Sequence, residues 1–222
     1  MGFLTDDRMH DFESGKRLFG FLQNAHPEVF PDAADNFEPI RTRINSVNDI
    51  EELWRCPVLW KTKKTKVEGS LWMQDPNQLS ALYLGSTWKK WNMQRLTSLF
   101  KQISIFLDTH FAYLHLVADP EMDTAPYDQW YPLNVGVTVH HLKKGVVLLP
   151  WAATWGNTCV SMMDSNFDCK EFHRLEPLQG GLVYTQLTSD INDMATNLDQ
   201  VTKVRQQILK STNKQTIPKI DI

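Results

Sequence analysis

Hydrophobic positions along the chain recur with the periods of helices and of strands. Residues 93–108 carry the clearest helical pattern, because apolar side chains recur every three or four positions and polar ones fill the other side. The apolar side consists of Leu96, Leu99, Phe100, Ile103, Phe106 and Leu107. Weaker patterns predict a helix between Asp11 and Pro27, a short one at residues 46–55 and a last one at 195–211.

Strands are predicted where apolar and polar residues alternate, or where short apolar runs lie between turn signals. Residues 58–62, 67–74 and 79–85 follow one another with short turns, which is typical of an antiparallel meander. Further strands are predicted at residues 111–117, 135–139, 147–154, 159–163 and 182–188. Together these elements predict an α+β fold, a mostly antiparallel sheet with helices packed on one face.

Length and composition describe an ordinary globular chain. The 222 residues contain no internal repeat and no Gly/Ser-rich linker, so residues 1–211 are expected to form a single α+β domain with a loose C-terminal tail at 212–222. Residues 31–46 are expected to be irregular. No apolar run approaches the roughly 18 residues of a membrane span, and residues 1–10 lack the apolar core of a signal peptide.

Cysteine usage indicates a reducing compartment. The three cysteines, Cys56, Cys159 and Cys169, are odd in number and unrelated in spacing, so a disulfide framework is not expected. The sequence therefore predicts a cytoplasmic protein, with no cofactor, no membrane association and no small-molecule ligand.

Charge is unevenly distributed along the chain. Residues 1–56 hold 6 basic and 11 acidic side chains, residues 57–111 hold 8 and 3, and residues 112–222 hold 9 and 12. The net charges are therefore -5, +5 and -3, which sum to the overall charge of -3. A slightly acidic chain is not expected to bind nucleic acid unspecifically as its main role.

An acidic, aromatic segment is the strongest candidate for recognition of a partner protein. Four carboxylates lie close together with two aromatic side chains: Asp119, Glu121, Asp123, Tyr127, Asp128 and Trp130. Aromatic residues beside charges are typical of interface hot spots. A solvated loop with no partner is the plainer interpretation of the same residues.

A basic segment offers a second candidate surface. The predicted turn at residues 61–66 carries Lys61, Lys63, Lys64 and Lys66, and Trp88 and Trp91 flank two further lysines. Lysine with aromatic side chains can hold single-stranded nucleic acid by charge and stacking. The alternative is a solvated edge hairpin whose lysines prevent strand pairing between molecules.

Candidate catalytic groups are few. Cys159 lies in an apolar run, and His140 and His141 are adjacent, so on a strand they would point to opposite faces. His115 is expected to be a half-buried histidine. A non-enzymatic protein is therefore predicted, with a hydrolase built around His115 or His140 as a weaker alternative.

Residues 180–190 and 136–160 resemble segments of immunity protein family 52 of bacterial polymorphic toxin systems. Residues 180–190 (GGLVYTQLTSD) with the following helix resemble the C-terminal signature of the family, and the strands at 69–85 also fit. Residues 136–160 resemble its central block through Gly145, Leu149, Pro150, Trp151, Thr154 and Gly156.

The resemblance implies an α+β, cytoplasmic, non-enzymatic protein that neutralises a cognate toxin. Such toxins are often delivered by a type VI secretion system or an Rhs-type carrier, and those of this family look like nucleases. No catalytic residue carries over. The resemblance thus implies a toxin domain as partner, and the acidic segment, Trp88 and Trp91 are the expected contact residues, the acids facing the positively charged groove of a nuclease.

Overall fold

The computed structural model describes residues 1–5, 9, 11–73, 79–87, 91–118, 149–162 and 170–211. They belong to two compact units, Met1–Asn92 and Met93–Ile222. The described residues contain ten strands, whose described pairings are antiparallel, together with helices, so the predicted α+β class is confirmed. The single domain stays a prediction, and the tail at 212–222 lies outside the described residues.

The first unit is built on six strands. In chain order they are β1 (Gly2–Thr5), β2 (Ala33–Asp35), β3 (Thr42–Arg43), β4 (Val58–Lys61), β5 (Val67–Trp72) and β6 (Ser80–Ser86). Their order in the sheet is β3-β2-β4-β5-β6-β1. The predicted meander of β4, β5 and β6 is confirmed. Strands β2 and β3 lie within residues 31–46, which were expected to be irregular, so that expectation is wrong there. They and β1 were not predicted because each has only two to four residues, too few for a periodic pattern.

Helix α1 (Phe12–Ala25) covers one face of this sheet. The Asp11 carboxylate caps it by accepting a hydrogen bond of 2.8 Å from the Ser14 amide. Its buried side chains include Phe19, whose ring lies 5.3 Å from that of Trp60 on β4. A 3-10 helix over Val47–Leu53 stands where the sequence predicts a short helix.

The second unit contains four described strands: β7 (Phe111–Leu114), β8 (Ala152–Trp155), β9 (Arg174–Pro177) and β10 (Val183–Gln186). Their order is β7-β8-β10-β9. Tyr184 on β10 stands opposite Thr154 on one side and Glu176 on the other, so these residues share a face of the sheet. Strand β9 was not predicted, because its residues are mostly exposed and lack an apolar pattern.

Four described helices accompany these strands: α2 (Met93–Phe106), α3 (Asn157–Met162), α4 (Asp193–Thr196) and α5 (Leu198–Ser211). Helix α2 follows the predicted pattern, and Phe100 on its buried side lies 6.3 Å from the Tyr184 ring. Helices α4 and α5 replace the single predicted C-terminal helix and are separated at Asn197.

The predicted strand at residues 159–163 is wrong, since Asn157–Met162 is helical. A Cβ on Gly156 would lie 2.3 Å from the Thr109 carbonyl oxygen, so only glycine fits where the chain leaves β8. The Val160 amide donates a 2.9 Å hydrogen bond to the Gly156 carbonyl, which starts the helix. Short apolar runs do not distinguish a strand from one buried turn of helix.

Tryptophans in or beside the predicted elements are expected to lie in the core, and the structure agrees for only some of them: Trp54, Trp60, Trp72, Trp151 and Trp155. Trp60, Trp151 and Trp155 are buried, as expected. Trp54 is half-buried and its ring lies against Gly15 of α1, leaving no room for a side chain there. Trp72 is 42% exposed, so its assignment to the core is wrong. Trp72 follows buried Leu71 on β5, so the two side chains point to opposite faces of the strand. Among the residues of β5, those on the Trp72 face are the more exposed.

Candidate functional site

Seven of the eight predicted contact residues lie outside the described part of the chain. They are Trp88, Asp119, Glu121, Asp123, Tyr127, Asp128 and Trp130. Trp91 is described and is half-buried in the first unit. The acidic segment therefore remains a prediction from sequence.

The lysine turn, residues 61–66 between β4 and β5, is held by hydrogen bonds from its threonines and backbone. The hydroxyls of Thr62 and Thr65 share a hydrogen bond of 2.6 Å, and the Thr65 hydroxyl also donates to the Glu28 carbonyl at 2.5 Å. The Lys63 amide donates to the Asp32 carboxylate at 2.6 Å, and Lys66 adopts a φ of 55°. Because these hydrogen bonds engage the threonines and the backbone of the turn, its lysine side chains extend into solvent.

All four lysine side chains of this turn, those of Lys61, Lys63, Lys64 and Lys66, are exposed. None of them forms an ion pair with a residue in the described ranges. Exposed Glu68, which pairs across the strands with Lys61, only partly offsets their charge. The turn is therefore a concentrated positive surface.

Trp91 is connected to this turn through a serine. The Trp91 indole donates a hydrogen bond of 3.1 Å to the Ser86 hydroxyl, and that hydroxyl donates to the Thr65 carbonyl at 3.0 Å. Thr65 and Trp91, which are separated by about a quarter of the length of the first unit, are thereby brought together. The lysine turn and Trp91, which the sequence groups in one candidate surface, are thus connected by hydrogen bonds. Trp88 lies outside the described residues.

Two segments that carry the family resemblance meet in the second unit. Strand β8 pairs with β10, and across them the Trp155 indole donates to the Thr185 hydroxyl at 2.9 Å. The Trp151 indole donates to the Thr188 hydroxyl at 3.1 Å. Both threonines are buried, so these hydrogen bonds also satisfy polar groups of the core.

Two adjacent glycines before a strand predict a bulge or a turn with positive φ, and Gly180 and Gly181 form such a turn before β10. Gly180 and Gly181 have φ values of 76° and 77°, which side chains with a Cβ rarely adopt. A Cβ on Gly181 would lie 2.2 Å from the Asn157 side-chain oxygen, and the Asn157 amide donates to the Gly180 carbonyl at 2.9 Å. Asn157 therefore joins the start of α3 to this turn.

The described candidate nucleophile and base are both engaged in structural contacts. Burial raises the pKa of the Cys159 thiol to about 12, and the thiol donates to the His110 carbonyl at 3.0 Å. His115 accepts a hydrogen bond of 3.2 Å through Nδ1 from the Trp151 amide. His140 lies outside the described residues. Cys159 is thus protonated at neutral pH and unsuited to attack as a thiolate.

Metal-binding clusters and membrane-spanning helices are both absent from the residues that the structure describes. Within them, no three His, Cys, Asp or Glu side chains are grouped so that they could hold a metal ion. No helix in those ranges is both long and apolar enough to cross a membrane.

A polar pocket of about 460 Å³ in the second unit was not predicted from the sequence. Its described lining includes Gln94, Ser98 and Lys101 from α2, and His173, Arg174 and Ser189 from the other side. The residues come from three separated stretches, so no local sequence pattern indicates the pocket.

Comparisons with known proteins find no match for this chain. No protein-family model matches it. Searches of the curated proteins and of the solved structures also find no match. The candidate sites are therefore interpreted from their own geometry: an exposed basic turn with an adjacent tryptophan, and a polar pocket with cationic side chains.

Proposed function

We propose that this protein is an immunity protein that binds a cognate bacterial toxin domain and neutralises it. It does so by occluding the active or substrate-binding surface of the toxin, for which we propose a nuclease. Delivery by a type VI secretion system or an Rhs-type carrier is part of the same proposal, as is a cytoplasmic location for the immunity protein.

One observation carries this proposal beyond the sequence resemblance. The two resembling segments, residues 136–160 and 180–190, contribute the neighbouring strands β8 and β10, and their Trp and Thr side chains bond to each other. The glycine turn of the second segment also packs on Asn157 of the first. The described residues of the two segments thus lie side by side in one sheet, which supports the proposal.

The proposed contact surface is the acidic, aromatic segment from Asp119 to Trp130. A nuclease presents a positively charged groove to its substrate, and carboxylates can occupy that groove in place of phosphates. Opposite charge also accelerates association at low ionic strength. Tyr127 and Trp130 supply the aromatic anchors that interfaces favour.

Co-expression with the toxin domain encoded beside this gene tests the function. The wild-type chain is expected to restore growth, and the double variant Asp119→Ala/Asp123→Ala is expected to bind the purified toxin about tenfold or more weakly, a loss of at least ~1.4 kcal/mol. Binding of this variant should also respond less to added salt, because two charges of the interface are gone.

The matched control is Glu51→Ala/Glu52→Ala, which removes two exposed carboxylates from the 3-10 helix of the first unit. It changes the net charge equally and is expected to keep the wild-type affinity. Equal losses in both double variants would show that only total charge matters. Absence of rescue by the wild-type chain would exclude the immunity function altogether.

A second candidate function, binding of single-stranded nucleic acid, is favoured by the connection of Trp91 to the lysine turn through Ser86. Four exposed lysines supply phosphate contacts, and an indole beside them can stack on a base. The acidic net charge of the whole chain weakens its long-range attraction to a polyanion, so such binding depends on this local positive surface.

Fluorescence anisotropy with a labelled single-stranded oligonucleotide tests this candidate. Lys63→Gln/Lys64→Gln is expected to lower the slope of log affinity against log salt by about 1.4, since each phosphate contact contributes ~0.7. The control Lys203→Gln/Lys210→Gln removes two exposed lysines from α5 and should leave the slope unchanged. No binding by the wild-type chain at about 50 mM salt would end this candidate.

A further inference from the structure

We infer that the polar pocket of the second unit binds a small organic anion that carries hydroxyl groups. Its volume of about 460 Å³ falls within the range of small-molecule sites. Amide and hydroxyl side chains from α2, from Gln186 at the end of β10 and from Ser189 line it together with cations from β9 and α2. Such a ligand lies outside the toxin-binding function proposed above.

The charges of the pocket favour an anion. Arg174, on the edge strand β9, is exposed and forms no ion pair with any residue in the described ranges. Lys101 is paired with Glu176 and lies 4.0 Å above the centre of the Tyr184 ring. None of the described lining residues is acidic. Arg174 is therefore the cation whose charge is left to attract a ligand.

The guanidinium group is suited to the head group of such a ligand. It presents two parallel N–H donors that match the oxygens of a carboxylate or a phosphate. His173, the neighbouring residue in the pocket wall, is exposed as well and adds a ring nitrogen. The anionic oxygen group is thus expected to lie at Arg174.

The base of the pocket is held rigid by a buried chain of hydrogen bonds. The Tyr184 hydroxyl donates to the Gln186 side-chain oxygen at 2.7 Å, and the Gln186 amide donates to the Thr188 carbonyl at 2.6 Å. The Thr188 hydroxyl accepts from the Trp151 indole at 3.1 Å and donates to the Asp190 carbonyl at 3.0 Å. A base that is already ordered costs little conformational entropy when a ligand enters.

The pocket wall indicates the rest of the ligand. Gln94 and Ser189 are exposed, and Ser98 accepts a hydrogen bond of 3.2 Å from Gln102, so amide and hydroxyl groups face the cavity from opposite sides. Groups of this kind pair with hydroxyls of a ligand. Met93 and Trp151, which also line the pocket, can contact its carbon atoms. A sugar phosphate and a sugar acid both combine hydroxyls with an anionic oxygen group.

Calorimetric titration of the full chain with glucose 6-phosphate, gluconate and glucose tests the inference. At least one of the two anions is expected to bind saturably, and glucose at least about tenfold more weakly. Binding of glucose 6-phosphate alone assigns a phosphate head group, and binding of gluconate alone assigns a carboxylate. Because no toxin is present, the result does not depend on the proposed immunity function.

Two variants with a matched control locate the binding. Arg174→Gln is expected to weaken binding about tenfold or more, whereas Lys203→Gln, an exposed cation on α5 outside the pocket, should not change it. Ser98→Phe keeps every charge and fills the cavity, so it should abolish binding. Melting temperatures verify that each variant is folded.

Three results would overturn the inference. Failure of both anions to bind the wild-type chain excludes the ligand class. Equal weakening by Arg174→Gln and Lys203→Gln means unspecific attraction to positive charge. Full binding by a folded Ser98→Phe variant places the ligand elsewhere.

Discussion

Gly69 on β5 shows how one residue position can depend on a distant ring. Trp60 stands opposite it on β4, fully buried, and a Cβ on Gly69 would lie 2.0 Å from that ring. The ring is held in place, because its indole donates to the Val29 carbonyl at 3.2 Å and Phe19 contacts it edge-on. Glycine is required here for space and not for an unusual backbone conformation.

Gly69→Ala is expected to lower the free energy of unfolding by about 2–3 kcal/mol, because the Trp60 ring must move within a packed core. Urea denaturation followed by tryptophan fluorescence measures the change. Gly85→Ala is the control: Gly85 lies on the neighbouring strand β6, opposite Glu68 of β5, and its Cβ would meet nothing nearer than 3.8 Å. A loss under ~0.5 kcal/mol is expected there, and equal losses would contradict the packing argument.

At the scale of elements, the helix starts of the first unit depend on neighbours within a few residues. The Asp49 carboxylate accepts hydrogen bonds from the amides of Asn45 at 2.7 Å and Ser46 at 3.0 Å, which closes a capping box before the 3-10 helix. These bonds favour the ionised form and hold the pKa of Asp49 below its ordinary value. The start of this helix could therefore be predicted from the spacing of Ser46 and Asp49 in the sequence.

The Asp49 cap should lose its effect in acid. Its pKa is depressed in the folded state, so its contribution is complete above the unfolded-state value of about 3.9 and is lost as the pH falls through the folded-state value. Asp49→Ala is expected to lower the urea midpoint at pH 7 and pH 5 but hardly at pH 2. Glu52→Ala, another exposed acid of the same helix, serves as control. A difference that persists unchanged at pH 2 would exclude the ionised cap as its cause.

At the scale of the whole molecule, contacts between distant parts of the chain determine what the local elements build. Lys101 of α2 and Glu176 of β9 form an ion pair, and their side chains are 18% and 39% exposed. They are separated by 75 positions, and the same lysine lies over the Tyr184 ring. The pair therefore connects a predicted helix to a strand that no pattern predicted.

Glu176→Gln is expected to lower the free energy of unfolding by about 0.5–1 kcal/mol, since the pair is partly exposed to solvent. Lys101→Met and the double variant complete a thermodynamic cycle, whose coupling energy should be about 0.5 kcal/mol and should shrink at high salt. Glu171→Gln, an exposed acid nearby in sequence, should have no effect. A coupling energy of zero would show that the pair does not contribute.

The predictions that were confirmed rest on short-range order. Helix α2 and the meander of β4, β5 and β6 follow from periodicity within single segments, and the positive φ of Gly180 and Gly181 follows from residue type. The strand predicted at 159–163 was wrong, because close contact of Gly156 with the backbone at Thr109 decides the path there.

One candidate site could be predicted in part from the sequence, and the other was found only in the structure. The lysine turn was visible in the sequence because its four lysines are neighbours, but its connection to Trp91 through Ser86 required the structure. The polar pocket was not predicted at all. Its wall joins residues near 94, 174 and 189, each unremarkable within its own segment.

The sequence by itself determined the helices and strands that have a clear periodicity, such as α2 and the meander of β4, β5 and β6, and how charge is distributed, since these depend on residues a few positions apart. Tertiary structure alone decided which faces are covered, as Trp60 and Trp72 show: one is buried and the other 42% exposed. It also placed β9 beside β10 and closed a pocket against α2. The physical reason is that burial and pairing are set by whichever segment packs against a residue, and that segment lies far away in the chain.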